Sequence, residues 1–153
     1  MSDFSENEHL ERLLRQVAHI HFKRTHMYLE KIGLYKGQPR LLRLLWVQDG
    51  RTQKELAEEM NIQPATITKM VRRMQNAGFV VRKSDLEDMR VSRIFLTDSG
   101  RQIRKEVENI HQTLYEESLK DFTVEEKVLL RRFLMQIKEN LLGAMGKQQN
   151  AKH

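Results

Sequence analysis

The periodicity of this chain predicts a mainly α-helical protein with one small β-hairpin, and three observations carry that prediction. Apolar residues recur at threes and fours over most of the 153 residues. The period changes to two only around Phe79–Thr97. The stretch Gln53–Gly78 supplies a cap, a tight turn and a second helix start in the order that two consecutive short helices require.

Within Gln53–Gly78, Leu56, Ala57 and Met60 share one face of a short helix, with Lys54, Glu55, Glu58 and Glu59 on the others. Thr52, with Glu55 three residues on, has capping-box spacing. Asn61 tolerates a left-handed backbone and can end that helix, while Pro64 suits the first turn of the next, with Gln63 near its cap. In the second helix Ile67, Met70, Val71 and Met74 form the apolar face. Thr66, Thr68, Lys69, Arg72 and Arg73 point elsewhere. This is helix-turn-helix chemistry: small residues near the start of the second helix allow close approach to base edges, and cations further along suit phosphates or guanine.

Behind it, Phe79–Lys83 and Val91–Thr97 read as two strands joined by the polar Ser84–Arg90. A hairpin directly after a helix-turn-helix is a wing. Before it, Glu6–Lys31 carries Leu10, Leu13, Leu14, Val17, Ile20 and Met27 at helical spacing. Gly33 and Lys36-Gly37-Gln38-Pro39 mark a break, and Arg40–Gln48 restarts as a short buried helix ending near Asp49-Gly50. After the wing, Thr97 or Asp98 caps a helix striped by Ile103, Val107, Ile110 and Leu114. Thr123 to Glu126 has capping-box form and opens a last helix with Val128, Leu129, Phe133, Ile137, Leu141 and Leu142.

The terminal helices carry more apolar surface than a winged unit of about 60 residues can cover, so they are expected to cover one another across a two-fold dimer. A monomeric six-helix bundle with a wing is the alternative. The expected division is a dimerisation helix over 1–36, a winged helix-turn-helix over 37–100, dimerisation helices over 101–147, and a frayed tail over 148–153.

The formal charge is +6 and the pI about 9.7. The excess is spread evenly along the chain, yet no acidic residue occurs between Met60 and Ser84, where Lys69, Arg72, Arg73, Arg82 and Lys83 all fall. That focuses positive potential on the second helix and the segment after it, the electrostatic footprint of a nucleic-acid reader. With no cysteine, disulfides, thiolate zinc sites and thiol redox sensing are excluded. No apolar run approaches the roughly 20 residues of a membrane helix, and the polar N-terminus MSDFSENEHLERL is unlike a signal peptide, so a cytoplasmic location is expected. There is no Gly-rich phosphate loop, GxSxG elbow or HExxH, so no enzyme and no cofactor is expected.

The order of elements, together with Asp88-Met89-Arg90 and Leu96-Thr97-Asp98-Ser99-Gly100 behind LAEEMNIQPATITKMVRRMQNAGFV, resembles the MarR family of bacterial transcription regulators over nearly the whole chain. The resemblance implies a homodimeric regulator, a repressor or an activator, on a pseudo-palindromic operator in double-stranded DNA, often released by a small molecule. A winged module with an architectural or protein-interaction role and no effector is the alternative. Carried over residue by residue, it implies that Gln63, Pro64, Ala65, Thr66, Thr68, Lys69 and Arg72 face the major groove, and that Arg90 enters the minor groove. Asp88 would hold an arginine in place, and Arg73, Lys83 and Arg93 would add cations. Asp85, Glu87 and Asp88 make the wing tip net acidic, so base contacts are expected mainly from the second helix.

The resemblance also implies an effector pocket between the dimerisation helices and the DNA-binding domain, suited to a small aromatic or phenolic molecule. His19, Phe22, His26 and Trp46 are the candidates. Aromatics at helical spacing are more often core than pocket. His19 and His26, seven apart, with His111, are the only hint of zinc, but they lack partners at i+3 or i+4, and no metal is assigned.

Overall fold

The computed structural model describes residues 6–150. The chain divides into two compact units, Met1–Leu114 and Tyr115–His153. In the first, α1 (Glu6–Lys31) and α2 (Gln38–Val47) are followed by a two-residue strand β1 (Arg51–Thr52), α3 (Gln53–Met60), α4 (Pro64–Asn76), β2 (Val80–Ser84) and β3 (Ser92–Leu96). Helix α5 (Asp98–Ser118) runs from the first unit into the second, which holds α6 (Val124–Asn150).

Local chemistry sets most of these boundaries. The Thr52 hydroxyl accepts the Glu55 N–H while Glu55 reaches back to the Thr52 N–H at 2.7 Å, the reciprocal bonds of a capping box. Asn61, at φ 51, ends α3 in the left-handed region: its N–H returns to the Glu58 carbonyl and that of Ile62 to Ala57. Helix α4 ends the same way on Gly78, at φ 80, with Gly78 N–H on Gln75 and Phe79 N–H on Met74. Thr123 and Glu126 repeat the capping box at α6. Thr97 caps α5, its hydroxyl accepting the Gly100 N–H at 3.1 Å.

The sheet differs from the expected hairpin. It has three antiparallel strands in the order β1-β3-β2, because Arg51 and Thr52 pair with Ile94 and Arg93. A strand of two residues has no period to read, so from the sequence it passes for a lead-in. Pairing it to β3 ties the wing to the start of α3. The first expected wing strand shifts by one residue to Val80–Ser84 and the second shortens to Ser92–Leu96, in the register Val80↔Leu96 to Ser84↔Ser92.

The core of this unit gathers Leu41, Leu42 and Leu45 of α2, Leu56 and Met60 of α3, Ile67, Val71 and Met74 of α4, Val80 and Ile94 of the wing, and Ile103 and Val107 of α5. Each fully buried aliphatic side chain contributes at most about 1.5–3 kcal/mol. Three of them on α4 therefore anchor a helix of 13 residues that would be marginal alone.

Asp49, read as the end of α2, is a junction. One carboxylate oxygen accepts the N–H of Gly50 at 3.0 Å and of Leu96 at 2.9 Å, and the other accepts Arg101 at 2.9 Å. The Leu-Thr-x-x-Gly motif has an equally specific reason. A Cβ at Gly100 would stand 2.0 Å from the Phe79 carbonyl oxygen, so α5 can start against the end of α4 only where a side chain is missing.

In the second unit α6 leaves Val128, Leu129, Phe133, Leu134, Leu141 and Leu142 exposed. Of the expected tail, residues up to Asn150 belong to α6, and 151–153 lie outside the described residues, as does the start of the polar N-terminus.

Candidate nucleic-acid interface

The buried positions of α4 define what remains outward. With Ile67, Val71 and Met74 inside, a helix of 3.6 residues per turn sets Ala65, Lys69 and Arg72 along the middle of the free arc. Thr66 and Arg73 lie on one margin and Thr68 on the other. Gln63, Pro64, Ala65, Thr66, Lys69, Arg72 and Arg73 are all exposed, so the structure brings these sequence-predicted residues together on one surface. No acidic residue stands among them.

Thr68 differs. It is half-buried; its hydroxyl donates to the Pro64 carbonyl at 2.9 Å and accepts from Gln53 Nε2 at 2.6 Å. That ties the first turn of α4 to the first turn of α3, so the donor of Thr68 is already committed. Gln53 was not among the sequence candidates, and a glutamine at a helix start carries no signal for a partner 15 residues on. Arg40 was likewise missed. Its guanidinium donates to the carbonyls of Glu59 at 2.9 Å and Met60 at 3.1 Å, capping the negative end of α3.

In the wing, Asp88 Oδ1 accepts the Arg90 N–H at 3.0 Å and lies 3.4 Å from Arg90 Nε, with the arginine almost fully exposed. Asp85 is the stronger organiser. Its Oδ1 accepts the N–H groups of Glu87 and Asp88 at 2.8 and 3.0 Å, and its Oδ2 pairs with Arg93 Nε. The Arg93 guanidinium, and secondarily those two N–H groups, lower the Asp85 carboxyl to about 2. Arg93 also donates to the Gly50 carbonyl at 2.9 Å, so the cation expected at DNA is engaged by the wing and the α2–β1 turn. Lys83 extends with its ammonium 5.4 Å from the centre of the Phe95 ring. Much of the acidity of the wing tip is therefore neutralised from within.

The four effector candidates have separate settings. His19 and Phe22 are exposed on α1. The His26 ring lies tilted against Phe22, with centroids 4.0 Å apart, and donates through Nδ1 to the Phe22 carbonyl at 2.9 Å. Trp46 is partly buried against the core, its indole N–H on the Gly100 carbonyl at 2.8 Å. His111 accepts from Arg43 at 3.3 Å. Among the described residues no three His, Asp or Glu side chains gather to hold a metal ion, and no helix is long and apolar enough to cross a membrane.

This geometry agrees with three comparisons. The sequence model of the MarR family matches residues 34–92, which span α2, the helix-turn-helix and the wing as far as the first residue of β3. The HTH-type transcriptional regulator YwoH of Bacillus subtilis is 33% identical over 135 residues, covering 85% of this chain and 97% of its own. The chain belongs to the MarR family. A MarR-like transcription regulator from Bacillus cereus has a solved structure that superposes with a TM-score of 0.74 at 26% identity, over 88% of this chain and 97% of that one. A mutant of MarR from E. coli complexed with operator DNA superposes at 0.68 and 24% identity, over 90% and 99%, and shows the shared fold. MarR relatives are transcriptional regulators rather than enzymes, and a DNA-binding regulator is the function this membership supports.

Proposed function

We infer that this MarR-family chain acts as a homodimer that binds a pseudo-palindromic operator in double-stranded DNA and represses transcription until a small aromatic or phenolic effector releases it. The observation that carries the DNA reading is the outward arc of α4, on which short polar residues at the start give way to Lys69, Arg72 and Arg73 with no acid among them. In the major groove the first turn would meet base edges and the cations would meet phosphates or guanine. Arg90 is the wing side chain suited to a narrow minor groove, with Asp88 as its positioning partner. Arg93 serves that contact indirectly, by holding the wing to the body through Asp85 and Gly50.

Dimerisation is supported by α1 and α6, each with a row of exposed apolar residues, among them Leu10 at 70%, Ile20 at 63% and Leu141 at 60% exposure. Rows of this size are rarely left to water in a soluble protein, and a two-fold partner would set two α4 helices against half-sites one helical turn apart. His19, Phe22 and His26 offer an aromatic surface for an effector, with Trp46 set deeper.

Titration of duplexes bearing inverted repeats from the protein's own promoter, followed by fluorescence anisotropy at several salt concentrations, tests the reading. Affinity should fall steeply with salt and should exceed that for a scrambled duplex. Absence of binding at low salt would sink it. Salt-dependent binding with no sequence preference would favour an architectural role.

A further inference from the structure

A groove of about 450 Å³ runs beside the Thr66 and Arg73 margin of α4, against the turn between α1 and α2. Met60, Ile62 and Met70 give it apolar lining, Lys36, Lys69 and Arg73 supply cations, and no acidic residue contributes. Lys36, Lys69 and Arg73 are exposed, and none of them is held by an ion pair among the described residues. Arg40 is different, because its guanidinium is fixed on the α3 carbonyls at the groove edge. The turn that carries Lys36 is itself held in place. The N–H of Tyr35 donates to the Gln38 carboxamide at 2.9 Å, and that of Gln38 to the Tyr35 carbonyl at 3.0 Å.

We propose that this groove is a seat for a DNA backbone phosphate, which makes Lys36, on a turn outside the helix-turn-helix and the wing, a DNA-contact residue. A helix with its side chains is about 10–12 Å across, and the major groove is about 12 Å wide. A recognition helix centred on Ala65, Lys69 and Arg72 therefore brings its margins against the phosphate walls. On the Thr68 margin the hydroxyl is turned toward Gln53. On the Thr66 margin Lys36, Lys69 and Arg73 line an acid-free hollow, where a phosphodiester would act as their counter-ion in place of dissolved anions. The contact carries no sequence information; it fixes register and adds affinity. The inference rests on the reading of α4 as the DNA-reading helix.

The test measures anisotropy against salt for Lys36→Ala, Lys36→Arg and Arg72→Ala, on the operator duplex and on a scrambled duplex of equal length. Lys36→Ala should weaken both duplexes by the same factor, about 3- to 10-fold, and flatten the salt slope by about one. Lys36→Arg should restore both. A scan of neutral methylphosphonates along each strand should find a position that costs the wild type affinity and costs Lys36→Ala nothing further. Unchanged affinity and slope in Lys36→Ala, while Arg72→Ala still weakens the operator, would overturn the seat and leave the DNA reading standing. Failure of the wild type to bind either duplex would overturn both.

Discussion

The indole N–H of Trp46 on α2 donates to the carbonyl of Gly100 on α5 at 2.8 Å, joining residues 54 apart at the point where α5 passes the end of α4. The same glycine admits the Phe79 carbonyl to a space that a Cβ would need. Gly100→Ala should therefore cost about 3 kcal/mol or more, because a backbone atom must move rather than a flexible side chain. Trp46→Phe should cost about 0.5–1.5 kcal/mol, the net worth of one hydrogen bond, because the Gly100 carbonyl keeps its partner one turn on within α5. Urea unfolding measures both, and a neutral Gly100→Ala would show that α5 can shift freely.

Asp85 gives a pH signature. Its carboxyl titrates near 2 in the folded chain, below the ordinary 3.8, chiefly through Arg93. A depressed carboxylate stabilises the folded state at pH values above its unfolded pKa, and that stability is lost as pH falls through the folded value. Wild type should therefore exceed Asp85→Asn in unfolding midpoint above about pH 4, with the gap closing toward about pH 2. A gap independent of pH would mean that the charge on Asp85 is irrelevant to the wing.

The pKa of His111 is also lowered, but there the neutral form is the one favoured. Burial first, then the Arg43 cation and His21, lower its pKa below the usual 6.5, and Arg43 can only donate to it, so the imidazole is neutral. The unfolded chain binds that proton more readily, so stability is complete above the unfolded pKa and declines as pH falls through the folded value. Melting temperature should drop between about pH 7.5 and pH 5.5 by more in wild type than in His111→Gln. Equal drops would assign the dependence to the other histidines.

On the recognition helix, Arg72→Ala should weaken operator binding by about 1–3 kcal/mol and relax sequence preference if it reads a base, or flatten the salt slope by about one if it meets phosphate. Unchanged affinity would remove Arg72 from the interface.

For the dimer, Leu14→Asp or Leu141→Asp, each on an exposed apolar row, should leave the winged unit folded yet weaken operator binding by on the order of 100-fold, through loss of the second half-site. Sedimentation should show monomers. A monomer that binds the operator at full strength would contradict the two-fold proposal.

These residues also divide by what could be read in advance. Thr52, Asn61, Thr97 and Thr123 act on backbone groups within a few positions, so spacing alone revealed them as caps. The inward face of α4 followed from a period of 3.6, and the exposed arc is its complement. The carbonyl partners of Arg40, Arg93 and Trp46 and the Leu96 partner of Asp49 could not be found that way, because each of these bonds closes a loop of 19 to 54 residues. Asp88 and Arg90 were legible as neighbours. Asp85 and Arg93 become neighbours only once the register sets Ser84 opposite Ser92.

By itself, then, the sequence determined the helices, their caps, the wing and the face of α4 turned outward, because all of these depend on interactions within a turn or two of the backbone. Only the tertiary structure decided which cations are committed to the fold and which are left unengaged on its surface. Arg40 and Arg93 are held by carbonyls of distant elements, and Arg93 also by Asp85 across the wing, while among the described residues no ion pair holds Lys36, Lys69, Arg72 or Arg73. That distinction depends on where the packed core places each charge relative to acceptors far along the chain, and no local period encodes it.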